Sequence, residues 1–201
     1  MKRSARGRKR GADVRKEIRL SGSGGQGLLL IGKILAEALG ISEGKNVVLS
    51  NSYGGQVRGG SSRSDVLISP PDEEIDFPEV MRADILLAMT QEAVDEYGSI
   101  VKEDGLTILD STFVKQIPPL AGKTISYPFT LQTKERLGSE LPTNIVALAV
   151  IAKEGDLVKK ESLIETIKKL SPKGKEEINL QALQFGYELA ESGVLRTSGK
   201  S

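Results

Sequence analysis

The period of the hydrophobic pattern changes several times along the chain. Residues 17–22 form a short stretch that predicts a strand running into a glycine turn, and the apolar segment 26–39 predicts a helix. Because leucine and isoleucine cover most of its circumference, we expect this helix to be buried on more than one side. Further strands are predicted at residues 46–50, 64–69, 84–89, 106–110 and 123–126, and further helices at residues 91–101, 144–153, 160–170 and 175–192.

Strands that alternate with helices predict an α/β fold, because parallel neighbours in a sheet need crossover connections. We therefore predict a single Rossmann-like domain with a mostly parallel, doubly wound sheet, covered by the C-terminal helices. The predicted domain spans residues 17–193. It lies between a basic, disordered tail at residues 1–16 and a disordered C-terminal tail at residues 194–201.

The N-terminal segment carries much of the positive charge. Residues 1–16 contain 8 of the 28 Lys and Arg residues and one acid, which leaves 20 basic and 26 acidic residues in the remainder. We interpret the segment as a solvated tail. The alternative is a nucleic-acid-binding arm, but no aromatic residue interleaves with the charges to stack on bases, so nucleic-acid binding is not predicted.

Apolar runs along the chain are short. No apolar stretch follows the N-terminal charges as it does in a secretory signal. The longest run, residues 145–152, falls well below the roughly 20 residues that cross a bilayer. We expect a cytoplasmic protein with no membrane partner.

The chain contains no Cys and no His. It therefore lacks the usual ligands of an iron–sulfur cluster, a thiolate nucleophile, and the side chain that titrates near neutral pH. We predict neither a catalytic residue nor a metal ligand in this chain. Redox chemistry, where it occurs, must lie in another polypeptide.

A glycine turn follows the first predicted strand and opens the first predicted helix. Its sequence is Gly22-Ser23-Gly24-Gly25-Gln26-Gly27, which satisfies the spacing G-x-G-x-x-G. In this context glycines permit a tight turn, and the helix N-terminus attracts a phosphate. An NAD site would place an acid at the end of the second strand, which here reads Val48-Leu49-Ser50-Asn51, and no G-K-[ST] follows the turn. NAD and Walker-type nucleotide sites are therefore disfavoured, and glycines that serve only helix packing remain an alternative.

A second glycine cluster follows the second predicted strand. Its candidate ligand-binding residues are Tyr53, Gly54, Arg58, Gly59 and Gly60. We expect this loop to reach the same edge of the sheet as the glycine turn, where open α/β folds bind ligands. Arg58, and Arg63 beyond it, carry forked donors suited to a phosphate; pairing with an acid of this chain or of a neighbouring subunit is the alternative.

The two glycine clusters together resemble the gamma subunit or domain of 2-oxoacid:ferredoxin oxidoreductases, in the 2-oxoglutarate/ketoisovalerate-type branch of the pyruvate/ketoisovalerate oxidoreductase catalytic domain family. The resemblance covers nearly all of residues 17–190. It rests on residues 21–27 and 52–61, and continues through Asp65-Val66-Leu67-Ile68-Ser69, residues 83–89, Leu141-Pro142-Thr143-Asn144 and residues 179–186.

The resemblance implies a multi-subunit enzyme. Such complexes convert a 2-oxoacid, coenzyme A and oxidised ferredoxin to an acyl-CoA, CO2 and reduced ferredoxin. It further implies that thiamine diphosphate, Mg and the iron–sulfur clusters belong to alpha, beta and ferredoxin-like delta subunits, and that coenzyme A is a co-substrate. This chain would serve assembly and coenzyme A positioning through Gly22, Gly24, Gly25, Gln26 and Gly27 together with the second cluster.

Other interpretations stay open at this point. A free-standing Rossmann-type protein that binds a dinucleotide or an acyl-CoA would carry the same turn, and an indolepyruvate-type enzyme of the same superfamily shares it. Asp110-Ser111-Thr112, after a predicted strand, is interpreted as a turn and cap group, and Glu92 and Asp95, after Thr90, as first-turn helix acids. Neither set predicts a catalytic pair.

Overall fold

The computed structural model describes residues 15–53, 60–70, 73–192 and 197–198. The strands are β1 (Lys16–Ser23), β2 (Asn46–Tyr53), β3 (Ser61–Ser69), β4 (Ala83–Ala88), β5 (Val101–Asp110), β6 (Lys123–Tyr127) and β7 (Thr197–Ser198). The α-helices are α1 (Leu28–Glu37), α2 (Gln91–Tyr97), α3 (Phe129–Leu137), α4 (Thr143–Glu154), α5 (Lys160–Leu170) and α6 (Glu176–Glu191). A π-helical turn at Ala38–Ser42 extends α1, and a 3-10 turn at Gly98–Ile100 follows α2.

The strands form one sheet in the order β2-β3-β1-β4-β5-β6-β7. The neighbours β1, β4, β5 and β6 pair in parallel, whereas β3 is antiparallel to both β1 and β2, and β7 is antiparallel to β6. Because β2 therefore runs with β1, five of the seven described strands point the same way. The predicted mostly parallel α/β sheet is confirmed. The reversed direction of β3 was not predicted; only residues 54–60 join it to β2, too few for a crossover helix.

Helices cover both faces of the sheet. The larger core lies between one face and α1, α3, α4, α5 and α6, and β1 contributes Ile18 and Leu20 to it. The smaller core lies between the opposite face and α2, with Leu67 and Leu86 from the sheet and Val94 from the helix. All residues of α4 from 143 to 152 are buried, so this helix forms the centre of the larger core. The doubly wound arrangement with C-terminal covering helices is as predicted.

Helix α3 was missed by the sequence analysis. Its buried face consists of Phe129, Thr130 and Thr133, while Leu131 is exposed. A helix whose inward face is mostly threonine has no clear hydrophobic period, so its pattern does not predict an amphipathic helix.

The predicted tails fall largely outside the described residues, which omit 1–14, 193–196 and 199–201. The domain boundaries at residues 16 and 194 therefore stay predictions. In the segment predicted as the C-terminal tail, Thr197–Ser198 forms the short strand β7 against β6. Within the part of the chain that the structure describes, no helix is long and apolar enough to span a bilayer.

Candidate functional site

The glycine turn lies at the carboxyl end of β1, where the chain enters α1. Its first exposed residue, Gly24, donates its backbone N–H to the carbonyl oxygen of Gly60 at 2.8 Å. Gly60 is the last residue of the second glycine cluster and directly precedes β3. The structure thus brings the end of the second cluster to the turn, because β3 pairs antiparallel with β1 and starts where β1 ends.

The turn needs glycine at three of its positions. Gly25 and Gly27 have φ angles of +94° and +71°, in the left-handed region where a side chain is strained. At Gly22 an added Cβ would collide with Gln26 Oε1 and crowd the side chain of Met89. Close packing and backbone conformation therefore account for much of the G-x-G-x-x-G spacing, whatever the turn binds.

Gln26 holds the turn closed from within. Its Oε1 accepts the backbone N–H of Ser23 at 2.7 Å, its Nε2 lies 3.4 Å from the carbonyl oxygen of Met89, and its own N–H donates to the carbonyl oxygen of Ser23 at 3.2 Å. The side chain of Gln26, which was predicted to contact a cofactor, is thus hydrogen-bonded to the backbone of its own chain. Its part in ligand binding stays a prediction.

The N-terminus of α1 is available to an anion. Gly27 is its N-cap, no side-chain hydrogen bond from the described residues caps it, and its first turn contains no acid. The first N–H groups of a helix have no carbonyl partner one turn earlier, and the helix dipole adds positive potential there. Gly24 and Gly25 are exposed beside this end. The arrangement suits a phosphate group.

The N-terminus of α4 meets the same turn. Asn144 is buried and donates from Nδ2 to the carbonyl oxygen of Gly27 at 3.0 Å. In the sequence this residue is part of a family-like segment, and no role was predicted for it. Nothing local signals the contact, since the two residues lie 117 positions apart.

A small cavity adjoins the glycine turn. This cavity of about 180 Å³ is lined by Ser23 and Ser61 and by two carboxylates of α2, Glu92 and Glu96. Two carboxylates oppose the binding of a phosphate, because like charges repel strongly where water is partly excluded. A phosphate ligand would therefore approach the turn from the exposed side of Gly24 and Gly25.

The remaining residues of the second cluster are only partly described. Tyr53 ends β2 and pairs in register with Ser62 of β3. Gly54, Arg58 and Gly59 lie outside the described residues. Arg63 lies near carboxylates of its own chain, 3.6 Å from Asp65 and 3.7 Å from Glu79, which is the ion-pair alternative rather than a phosphate contact.

The two acid clusters that predicted no catalytic pair make local turn, cap and helix contacts. Asp110 is buried; its Oδ2 accepts from the N–H and the hydroxyl of Thr130 at 3.2 and 2.5 Å, and its Oδ1 accepts from the N–H of Thr112 at 2.9 Å. It thereby joins the end of β5 to the first turn of α3. Thr90 caps α2 by accepting from the N–H of Ala93 at 3.3 Å, and Glu92 lies in the first turn. The interpretation of Asp110 as a turn and cap group is confirmed, as is that of Glu92 as a first-turn acid. Asp95 lies beyond the first turn, where its Oδ1 accepts from Gln91 Nε2 at 2.9 Å, so its interpretation as a first-turn acid is wrong.

The strand order also bears on dinucleotide binding. Strand β3 separates β1 from β2, so the end of β2 is two strand spacings, about 10 Å, from the glycine turn. The place beside β1 that holds the acid-bearing parallel strand in a dinucleotide-binding fold is thus occupied by antiparallel β3, which begins rather than ends at the glycine turn. The expectation against an NAD site gains a geometric reason.

The structure combines a mixed, mostly parallel α/β sheet with a glycine turn at the carboxyl end of its first strand, in a chain that contains no Cys and no His. The chain belongs to the pyruvate ferredoxin/flavodoxin oxidoreductase family, whose sequence profile matches residues 17–189. The predicted family resemblance is confirmed.

Individual relatives agree with this assignment. The chain is 42% identical over 185 residues to the 2-oxoglutarate synthase subunit KorC of Methanocaldococcus jannaschii, covering 91% of this chain and 98% of the relative. It superposes with a TM-score of 0.79 and 41% identity on the keto/oxoacid ferredoxin oxidoreductase gamma subunit from Geobacter sulfurreducens, covering 89% and 98% of the two chains.

A longer protein shares the fold. The 2-oxoglutarate:ferredoxin oxidoreductase from Magnetococcus marinus, solved with 2-oxoglutarate, coenzyme A and succinyl-CoA, matches with a TM-score of 0.75 at 23% identity. The match covers 89% of this chain and 31% of that one. At this identity the likeness establishes the fold alone.

Proposed function

We propose that this chain is the gamma subunit of a 2-oxoglutarate:ferredoxin oxidoreductase, which oxidatively decarboxylates the 2-oxoacid to an acyl-CoA and CO2 and reduces ferredoxin. The observation that carries the proposal is the match to a 2-oxoglutarate synthase subunit over 98% of that subunit's length. A free-standing nucleotide-binding protein is a weaker interpretation, since the full-length relatives described above are subunits of oxidoreductases.

The chain's own contribution is assembly and the positioning of coenzyme A. The exposed Gly25 and the N-terminus of α1 form the anion-compatible surface for its pyrophosphate. The carboxylates Glu92 and Glu96 repel phosphates from the neighbouring cavity and so favour one direction of approach. The thiol end of coenzyme A then extends toward a partner subunit.

The partners supply the chemistry that this chain lacks. Alpha and beta subunits hold thiamine diphosphate with Mg, iron–sulfur clusters lie in these or in a ferredoxin-like delta subunit, and ferredoxin accepts the electrons of the complex in the cytoplasm. This division agrees with a chain that has no Cys and no His.

The test uses the assembled complex. A gentle anaerobic pull-down of the chain is expected to recover thiamine-binding, cysteine-rich subunits together with 2-oxoglutarate- and coenzyme A-dependent reduction of a viologen dye. Recovery of a lone chain that binds NAD(P) would overturn the subunit assignment.

The coenzyme A role is tested within that complex by Gly25→Ala. Gly25 has a φ of +94° and an added Cβ meets nothing within 4 Å, so the change strains the backbone and places a methyl group where the phosphate approaches. We expect the KM for coenzyme A to rise about tenfold, equivalent to about 1.4 kcal/mol of binding free energy.

Gly138→Ala is the matched control. Gly138 has a φ of +71° with equally open surroundings, but it ends α3. A rise in the KM for coenzyme A of similar size in both variants, or in neither, would contradict the positioning role.

A further inference from the structure

We propose that Asn144 is the positioning residue of the glycine turn, holding the peptide of Gly27 so that the N-terminus of α1 faces coenzyme A. This inference rests on the proposed coenzyme A site and adds to it a residue that touches no ligand. Asn144 belongs to the C-terminal helical layer, not to either glycine cluster.

The hydrogen bonds of Asn144 determine the orientation of its amide. Its Oδ1 accepts the backbone N–H of Ile145 at 2.9 Å, and its Nδ2 donates to the carbonyl oxygen of Gly27 at 3.0 Å. The opposite orientation would set an NH2 against an N–H and an oxygen against a carbonyl oxygen. At 5% exposure the side chain has little access to water that could replace either partner.

The carbonyl that Asn144 holds belongs to the N-cap of α1. The same oxygen accepts the N–H of Ile31 at 3.2 Å, the first hydrogen bond of the helix. In a planar trans peptide the C=O and the following N–H point in opposite directions. Fixing the oxygen of Gly27 therefore fixes the direction of the first peptide of α1. Because Leu28 itself is fully buried, this peptide acts on a ligand through the orientation of the helix N-terminus and its dipole.

Glycine at position 27 is required by this contact as well as by the backbone. Besides its positive φ, an added Cβ would collide with Asn144 Nδ2. The two residues therefore form a matched pair, in which the absence of a side chain on one admits the amide of the other.

Asn144 is itself held in place by its helix. Residues 143–152 of α4 are buried, and Gly186 lets α6 approach so closely that its Cβ, if present, would collide with the carbonyl oxygen of Val146. The position of the amide is therefore set by the packed helical layer. Through this one side chain, the C-terminal third of the chain fixes the conformation of an N-terminal ligand loop.

The decisive variant is Asn144→Asp in the assembled complex. The new carboxylate still accepts the N–H of Ile145 and suits the N-terminus of α4, but it cannot donate to Gly27. Losing a buried hydrogen bond and opposing two oxygens is expected to raise the KM for coenzyme A about fivefold to thirtyfold, with kcat at saturating coenzyme A changed by less than about twofold.

Asn179→Asp is the matched control. Asn179 is 6% exposed, lies in the first turns of α6 and donates from Nδ2 to Ser171 Oγ at 2.9 Å. The substitution removes an equivalent amide donor from a similar place near the start of another helix. We expect its KM for coenzyme A to equal that of the wild type, whereas an equal rise would mean that Asn144 acts only through stability and would overturn the proposal.

Failure of the inference and failure of the proposed function give different results. If Gly25→Ala raises the KM for coenzyme A and Asn144→Asp does not, the inference is wrong while the coenzyme A site stands. If neither variant changes that KM, both are wrong. Should Asn144→Asp prevent assembly, Asn144→Ser introduces no charge and is too short to reach Gly27, and a wild-type KM in this second variant would overturn the inference.

Discussion

Arg19 of β1 donates hydrogen bonds to both carboxylate oxygens of Asp65 on the neighbouring strand β3, from Nε at 2.8 Å and from one Nη at 2.7 Å. The two residues pair in register and are almost fully buried. The pair also binds the segment before β4. Arg19 donates to the carbonyl oxygen of Val80 at 3.0 Å, and Asp65 accepts the backbone N–H of Val80 at 3.2 Å. The Arg19 guanidinium lies 4.6 Å from the ring centre of Tyr97 in α2. One ion pair thus joins two strands, a loop and a helix on the smaller-core face.

Removing one charge of this pair is expected to destabilise the chain strongly. Asp65→Asn leaves the Arg19 guanidinium buried without its counter-charge, which costs about 3–5 kcal/mol of unfolding free energy. Chemical unfolding of the purified chain measures the effect. Glu191→Gln is the control, since its ion pair with Lys153 at 3.2 Å is exposed on both sides and such pairs contribute less than about 1 kcal/mol. Equal losses in the two variants would contradict the importance assigned to the buried pair.

The contact between α4 and α6 depends on the absence of a side chain at Gly186. An added Cβ would collide with the carbonyl oxygen of Val146 and with Ala149, so Gly186→Ala is expected to cost about 1–3 kcal/mol of stability. This loss is opposite in sign to the helix propensities, which favour Ala over Gly.

Gly40→Ala is the companion variant. There the new Cβ meets only ordinary contacts, at 3.8 Å or more, and stability is expected to stay the same or rise by about 0.5 kcal/mol. Thermal melting of both variants checks the pair of expectations. An unchanged melting temperature in Gly186→Ala would show that the two helices can separate without cost.

Ionisation of Tyr187 lowers the stability of the folded chain at alkaline pH. Burial, followed by the nearby carboxylates of Glu161, Glu191 and Glu43, raises the pKa of its hydroxyl from about 10 to about 12. Since the folded-state pKa lies above the unfolded one, the stabilisation is complete below pH 10 and is lost as the pH rises toward 12. Over that window the wild type should lose about 2–3 kcal/mol relative to Tyr187→Phe.

At neutral pH the same substitution is expected to be harmless. The hydroxyl of Tyr187 has no hydrogen-bond partner among the described residues, so replacing it with hydrogen leaves no polar group unpaired. Denaturant unfolding of both proteins at pH 7 and through the alkaline range tests both statements. Parallel pH profiles would refute the assigned pKa.

Local pattern was sufficient to predict most elements of the sheet and the placement of the glycine turn. It failed at α3, whose inward face uses Thr130 and Thr133 where a periodic helix would use leucine. It also left the direction of β3 open. The predicted strand bounds left residues 51–63 as the connection, long enough for a crossover, whereas the longer strands of the structure leave only residues 54–60. The run Ile145 to Ala152, apolar throughout, was equally consistent with burial against a partner and is buried within its own chain.

The candidate site, too, was predicted from the sequence only in part. The spacing of Gly22, Gly25 and Gly27 predicted a tight turn at a helix N-terminus, and the structure assigns each glycine a backbone or packing reason. The amide of Asn144 and the carboxylates beside the turn could not be predicted, since neither lies near the turn in sequence.

The sequence by itself determined the α/β class, the family and the glycine turn. These follow from side-chain periodicity, from the conformational freedom of glycine and from the motifs of the two glycine clusters, all of which are local properties. Only the tertiary structure decided the reversed strand β3, the buried Arg19–Asp65 pair and the contact of Asn144 with Gly27. Each of these joins residues far apart in the chain, and such contacts depend on how all the elements pack together rather than on any local pattern.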